Sequence, residues 1–519
     1  MKALIGALAS AALFGVAARL EWPSQLAALM AVAPWLAGID RARPRAALAS
    51  TAVLAAGVVA TAFWWLPQAL AAYARVPLPA AWVCTLGLAP LLLQPQFLVA
   101  CGCRLLARRA GLRRTAVAGI TILAYVGAEW ALPKPLGDTL GIGLFPSEWL
   151  RQGAEVAGVR GLTLLCLGVS ECLAAATVAP VFAAGALVGV AALYGMVRLR
   201  AVDAMVKEAP AFSAGVVQAA ITAYDKLAAE QGTYETVWQI LQEHAELSDR
   251  LLRDGPVDVL IWPETVYPTT FGAPKSEEGA EFDRQIAALP ARTGVPLVFG
   301  AFEDSGAGEH NAAFFLKPDG TFEVYRKSLL FPFTERLPGL VDVPAVRAAL
   351  PWTGRWSPGP GPTTVALPVG GGVVRFAPLI CYEAVHSSYV ASAAREGGDV
   401  LLTLSNDAWF ADAAAPRLHL AAAALRSVEL RRPQIRATNS GISALVLPSG
   451  AIISATPFGA RIAVRLLVPR VARNWTPVLA WGDWLGPAAV AVGLLLVACF
   501  SAAALARASM RRPRPVVRP

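Results

Sequence analysis

The chain has 519 residues, 56% of them hydrophobic, with a mean hydropathy of +0.52 and a formal net charge of +9. That composition excludes a soluble two-domain protein. The basic and aromatic interleaving of a nucleic-acid surface is missing, so the positive charge is read as a membrane-topology signal and no nucleic-acid partner is expected.

Long, nearly uncharged runs at 2–19, 24–38, 46–72, 79–103, 115–132, 159–176, 179–198 and 484–506 approach the ~20 residues that carry a helix across a bilayer, which predicts about eight helices. Lys2 ahead of the first run resembles the start of a signal peptide. The unbroken succession of further runs favours a retained helix. Arginines cluster at Arg41, Arg43 and Arg45, at Arg104, Arg108, Arg109, Arg113 and Arg114, and at Arg507, Arg511, Arg512, Arg514 and Arg518. The positive-inside rule places all three clusters in the cytoplasm and residues 199–483 on the external side, against a weaker contrary signal from Arg198, Arg200 and Lys207. The expected organisation is a membrane domain over 1–198 with about seven helices, a catalytic-type domain over 199–483, a last membrane helix over 484–507 and a basic cytoplasmic tail over 508–519.

Glu129 and Glu171 fall within apolar runs, where a carboxylate is costly and marks a functional candidate; Glu129, beside Trp130, reads equally as an interfacial anchor. The segment 133–160 is amphipathic. Its Leu144, Phe145, Trp149 and Leu150 are placed to press on a bilayer surface or to cover a site, with a plain connecting loop as the alternative.

From residue 214 strand and helix patterns alternate: strands at 215–221, 257–262, 297–300, 312–316, 373–380, 400–404 and 442–447, helices at 234–252, 343–350 and 417–430. This is an α/β domain, with Pro/Gly-rich loops at 268–280, 334–341 and 351–363. Gly370-Gly371-Gly372 lacks a following helix and reads as a turn. No metal or nucleotide motif appears, and no cofactor is expected.

Three apolar strands end in residues of catalytic type. They are Leu260-Ile261-Trp262-Pro263-Glu264, Tyr325-Arg326-Lys327 with Ser328 to Phe333 and Glu335 behind it, and Pro378-Leu379-Ile380-Cys381-Tyr382-Glu383. Taken singly each is bland, since strand-end charges are usually solvated and a cysteine is usually a small buried hydrophobe. Six of the seven cysteines lie in or beside apolar runs, however, so Cys381 has no partner for a disulfide within the external domain and stands out as a reactive thiol. Thioester chemistry needs a base to deprotonate the thiol and a cation to favour the thiolate and hold the oxyanion, roles that Glu264 and Lys327 suit. Of His244, His310, His386 and His419 only His386 is close to the thiol in sequence, which makes a Cys–His dyad the weaker alternative.

On these strings residues 214–470 resemble the carbon-nitrogen hydrolase (nitrilase) superfamily. The flanking apolar runs, with Pro332-Phe333-Thr334-Glu335, Ser405-Asn406-Asp407-Ala408-Trp409-Phe410, Arg436-Ala437-Thr438-Asn439-Ser440-Gly441 and Trp481-Gly482-Asp483, resemble the apolipoprotein N-acyltransferase family in particular. The resemblance implies a polytopic α-helical membrane domain carrying an α/β domain of αββα sandwich form. It implies Glu264 as general base, Lys327 as oxyanion stabiliser and Cys381 as nucleophile, Glu335 as a supporting carboxylate beside Lys327, and Tyr382 and Glu383 shaping the pocket behind the thiol. It further implies a phospholipid acyl donor, a diacylglyceryl-cysteine lipoprotein acceptor and a place in the bacterial inner membrane with the catalytic domain on the periplasmic side. Trp262, Leu330, Phe331, Phe333, Trp352 and Trp409 are expected at the lipid or substrate surface. One departure stands out: the loop from Pro135 to Ser147 lacks the aromatic Phe-Pro-Trp type string usual in the family. A conjugal-transfer branch of the family with another acceptor shares that feature. A membrane-anchored amidase in which water replaces the amine, and a non-enzymatic scaffold, are the competing readings.

Overall fold

The computed structural model describes residues 1–132, 134–222, 234–306 and 308–510; the basic tail from Arg511 onward lies outside the described residues. Helices occupy all eight apolar runs: α1 (Lys2–Ala17), α2 (Gln25–Met30) and α3 (Ala33–Ile39), α4 (Pro44–Ala62), α5 (Leu66–Ala74), α6 (Leu78–Leu88) and α7 (Pro95–Arg109), α8 (Arg114–Ala131), α9 (Ala154–Ala174), α10 (Val178–Glu208) and a closing helix (Leu485–Met510). Among the described residues three helices are long and apolar enough to cross a membrane, and a fourth span arises if the pair Leu78–Leu93 and Pro95–Arg109, bent by 52°, is counted as one. The chain is thus a membrane protein. Proline explains where the apolar runs break. Pro67 cannot continue a helix through Phe63, so the run 46–72 divides into α4 and α5, and Pro95 ends a π-helical turn (Ala89–Leu93) and sets the bend.

The intramembrane acids are partnered. Arg104, itself buried, donates from Nε to Asp40 at 2.8 Å and from Nη1 to Glu171 and Thr121. Glu129 accepts from the Leu140 N–H and the Thr163 hydroxyl, both at 3.3 Å.

The α/β part comprises two sheets between helices. The first sheet runs β13-β1-β2-β4-β5-β6, with β3 (Tyr267–Thr270) beside β4; the second runs β12-β11-β10-β9-β8-β7. Their strands are β1 (Ala211–Gln218), β2 (Val259–Ile261), β4 (Leu297–Asp304), β5 (Glu309–Leu316), β6 (Phe322–Arg326), β7 (Val365–Val369), β8 (Gly372–Ile380), β9 (Val400–Ser405), β10 (Gln434–Thr438), β11 (Ala444–Val446), β12 (Ile452–Ile453) and β13 (Ile462–Pro469). The period of two explains the layering. Phe212, Ala214, Val216, Val259 and Ile261 meet Val374, Phe376, Leu402 and Ile435 between the sheets. Val217, Leu260 and Trp262 face the outer helices α11 (Tyr234–Arg253) and α12 (Glu277–Thr293). On the far face α14 (Ser387–Arg395) and α15 (Ala414–Leu430), which follow the short α13 (Pro344–Ala349), pack on β8 and β9.

Three sequence expectations change. The loop expected at 268–280 holds β3 and the start of α12, whose N-cap Ser276 accepts the Gly279 N–H while Glu277 and Glu278 meet the positive helix end. The expected first strand begins and ends earlier, and pairs with β13, an unforeseen edge strand. Leu144, Phe145 and Leu150 do not lie on a surface; they are buried in the core of the helical part, and only Trp149 is well exposed. Gly370 and Gly371, as expected, form a turn: both have positive φ and close the β7–β8 hairpin.

The two parts lock through buried polar contacts. Arg431 donates to Glu155 and Gln152, each at 2.7 Å; Glu429, at the end of α15, accepts from the Val159 N–H at 2.8 Å and the Ser387 hydroxyl at 2.7 Å.

Candidate active site

The sequence places polar residues just past the carboxyl ends of β2, β6, β8 and β9, and the two sheets bring those ends together. Lys327 follows β6 and is 2% exposed at its side chain; its ammonium stands 3.2 Å from Glu264 Oε1 and 2.9 Å from Glu335 Oε1. Asn311 on β5 donates to both carboxylates, at 2.8 Å to Glu264 and 3.3 Å to Glu335. The remaining oxygens are also bonded: Glu264 Oε2 by the Asn406 N–H at 2.9 Å, Glu335 Oε2 by the Phe331 N–H at 2.7 Å. Glu264 reaches this position because its segment crosses Gly300 on β4, where an added Cβ would stand 2.4 Å from the Thr265 nitrogen.

Cys381 ends β8 and turns the chain with φ of +53°, a left-handed conformation that a non-glycine residue adopts at a cost. His419 holds that turn. Its Nε2–H donates to the Cys381 carbonyl at 3.2 Å, while Nδ1 accepts from Arg436 Nη2 at 3.1 Å, itself bonded to Asp407 Oδ2 at 3.1 Å. Glu383 closes the turn from the other side. One carboxylate oxygen accepts from the Ser328 and Leu329 N–H groups, the other from the Ile380 N–H and the Tyr325 hydroxyl. The β6 loop carrying Lys327 is thereby fastened to the β8 turn carrying Cys381.

Electrostatics follow from this packing. Burial works against the Lys327 charge, but Glu264, Glu335 and Cys381 outweigh it and hold its pKa well above the ordinary lysine value. Burial pushes the Cys381 thiol up to about 12, aided by the Glu264 carboxylate and opposed by Lys327. A thiol so placed is protonated at neutral pH and needs a base when it attacks. Burial opposes the Asp407 charge as well, yet Arg436 and His419 hold its carboxyl well below the usual range.

Glu264, Lys327, Glu335, Cys381 and Tyr382 line one cavity of about 950 Å³, at the upper end of ordinary small-molecule sites (~300–1,000 Å³). Much of the remaining wall is apolar and comes from the N-terminal helices: Phe14 and Ala17 of α1, Val58 and Ala62 of α4, Leu66 and Leu70 of α5, with Leu140 and Ile142 of the 136–143 loop. Phe331, Trp352 and Trp409 also line it. Leu330 and Phe333 do not. Nor does Trp262: it shares the outer face of β2 with Leu260 and donates to Ser248 of α11 at 2.9 Å. Glu383 stands behind the thiol, fully buried. His386 packs on the Tyr382 ring, 4.4 Å between centroids, so the Cys–His alternative finds no support there. The string Ser405-Asn406-Asp407 signals Asn406 and Asp407 in the sequence, whereas no local pattern marks Asn311, or sets His419 apart from the other histidines, as part of the cluster. Among the described residues no group of three or more metal-ligating side chains occurs.

The two sandwiched sheets and a cysteine at a strand end define a carbon-nitrogen hydrolase, and residues 213–475 match that family's model. Residues 10–172 match the N-terminal domain of apolipoprotein N-acyltransferases, so the chain belongs to the apolipoprotein N-acyltransferase family of the carbon-nitrogen hydrolases. An apolipoprotein N-acyltransferase of Bdellovibrio bacteriovorus is 31% identical over 52% of this chain and 51% of its own length. One from Geobacter metallireducens is 28% identical over 86% of each chain. The match thus spans about half of the first relative's length. Among solved structures, yeast Nit3, a member of branch 10 of the nitrilase superfamily, is 17% identical over 50% of this chain and 90% of its own, with a TM-score of 0.37.

Proposed function

We propose that the chain is a membrane N-acyltransferase that moves a fatty acyl group from a phospholipid through a Cys381 thioester to the N-terminal amine of a diacylglyceryl-cysteine lipoprotein. What carries the reading is one continuous cavity, lined by a buried carboxylate, ammonium and thiol and, over much of its remaining wall, by apolar side chains of the N-terminal helices. Such a cavity suits a substrate whose reactive ester is polar and whose chain is lipid, and the names of the relatives agree.

In the first half-reaction the Cys381 sulfur attacks the ester carbonyl while Glu264 takes the thiol proton. The oxyanion forms beside the Lys327 ammonium, which its carboxylate neighbours keep charged. Collapse breaks the C–O bond, and Glu264 returns the proton to the departing lysophospholipid alkoxide. In the second, the acceptor amine attacks the thioester, Glu264 takes a proton from it, the C–S bond breaks and the thiol is restored. Glu335 and Asn311 position Lys327 and Glu264. In this reading residues 199–483 face the periplasm from the inner membrane, where both substrates are anchored.

Intact-protein mass spectrometry after incubation with phospholipid tests it. The expected result is a fatty-acyl mass addition that neutral hydroxylamine removes and Cys381→Ser abolishes. Release of free fatty acid without transfer to a lipopeptide amine would refute the transferase in favour of a hydrolase.

A further inference from the structure

The cavity contains a second polar cluster, set into the wall made by the start of α7 and the 134–143 loop. Gln94 Nε2 donates to Asp138 Oδ2 at 2.8 Å, Gln96 Nε2 to Gln94 Oε1 at 2.7 Å, and Lys134 Nζ to the Asp138 carbonyl at 2.6 Å and Oδ2 at 3.0 Å. These bonds use up donors and leave acceptors. Asp138 Oδ1, Gln96 Oε1 and Thr139 Oγ1 are buried with no hydrogen-bond partner among the described residues, although the Tyr125 hydroxyl stands beside the Gln96 amide. Gln96 is 1% exposed, and Gln96, Asp138 and Thr139 all line the cavity.

A buried acceptor without a donor is destabilising, so three of them on a largely apolar wall mark the place of a group bringing several N–H donors. The cluster also adjoins the nucleophile: the Tyr382 hydroxyl donates to the Lys134 carbonyl at 3.4 Å, and Gly137 lies against Val385.

We infer that Asp138, Gln96 and Thr139 form a subsite for a protonated primary amine, whose three N–H donors match three unmet acceptors. The inference rests on the acyl-transfer reading and names the group that the loop departing from the family pattern recognises. A primary ammonium enters the cavity from the ethanolamine head group of a donor lipid or from the α-amine of the acceptor. A quaternary or acetylated nitrogen leaves the acceptors unmet.

Native mass spectrometry of the full chain carrying Cys381→Ala tests the subsite without turnover. The probes are dialkyl-ether phosphatidylethanolamine against the phosphatidylcholine analogue, and a lipopeptide with a free α-amine against its N-acetylated form. At least a five-fold preference for the amine-bearing member of one pair is expected, abolished by Asp138→Asn and weakened by Gln96→Met. The pair that shows the preference identifies the source. Equal retention within both pairs, or a preference that survives both substitutions, overturns the subsite. Gln96→Met leaves the Lys134–Asp138 bonds in place and so remains decisive if Asp138→Asn disturbs folding. Because binding is read without chemistry, failure of the acyl-transfer reading shows separately, as the absence of a thioester on the unsubstituted chain.

Discussion

Replacing Glu264 with glutamine separates its two effects on Cys381, because as a charge it suppresses the thiolate and as a base it creates it. The side chain keeps its shape, so Asn311 still finds an acceptor. The new amide nitrogen faces the Asn406 N–H, which stands 2.9 Å from Oε2, and two opposed donors cost about 1–3 kcal/mol of stability. Removing a unit charge some 4–6 Å away at an effective dielectric near 20 lowers the thiol pKa by on the order of 2 units. From a starting value of about 12, the thiolate fraction at pH 8 rises by on the order of a hundred-fold. Lys327, left with Glu335 as its carboxylate partner, adds to the effect. Alkylation of Cys381 by iodoacetamide, followed by peptide mass spectrometry across pH 7–10, reads the thiolate. Labelled-phospholipid transfer reads the chemistry. Glu264→Gln is expected to alkylate at least ten times faster at pH 8 while acyl transfer falls by roughly 10²–10⁴. Unchanged or slower alkylation, or transfer retained, would refute the assignment of Glu264 as both the charge that raises the thiol and the base that uses it.

Lys327→Met leaves Glu264 and Glu335 buried beside one another without their cation, a loss of about 3–5 kcal/mol that a thermal melt in detergent reads as a sharply lowered Tm; a melt within a degree of the parent contradicts the buried ion-pair network. Ala62→Phe fills part of the apolar wall, and since each buried methylene contributes ~0.8 kcal/mol, the preferred donor chain is expected to shorten by a few carbons, read by competition among acyl lengths. An unaltered length preference places the chain elsewhere. Burial, with Arg426 and Arg160 nearby, lowers His386 to about 4 from 6.5, so the unfolded chain binds a proton that the folded one refuses between those values. Stability therefore falls as pH drops from 6.5 to 4, by at most about 3 kcal/mol, and His386→Gln flattens that slope in pH-dependent denaturation.

The local signals of this chain were strong where one residue type decides one conformation. Apolar runs longer than any soluble helix needs specified membrane helices, prolines at 67 and 95 their breaks, and adjacent glycines at 370 and 371 the hairpin. Alternating apolar residues gave the buried strands, and the residues just past their ends gave the candidates Glu264, Lys327 and Cys381, which line one cavity because strand ends come together at the sheet edge. Trp262 was misplaced for the same reason that the strand was legible: alternation sends it to the face opposite Ile261, into the helical layer and away from the cavity. What no local pattern contains is proximity between distant segments. Only the packing of two sheets brought Asn311 to both carboxylates and His419 to the Cys381 carbonyl, and only the tertiary fold decided, between a bilayer surface, a site cover and a plain loop, that residues 136–143 line the cavity. Composition and periodicity are summed along the chain, whereas a site is a set of distances across it, and burial acts on a thiol or an ammonium only after those distances are fixed.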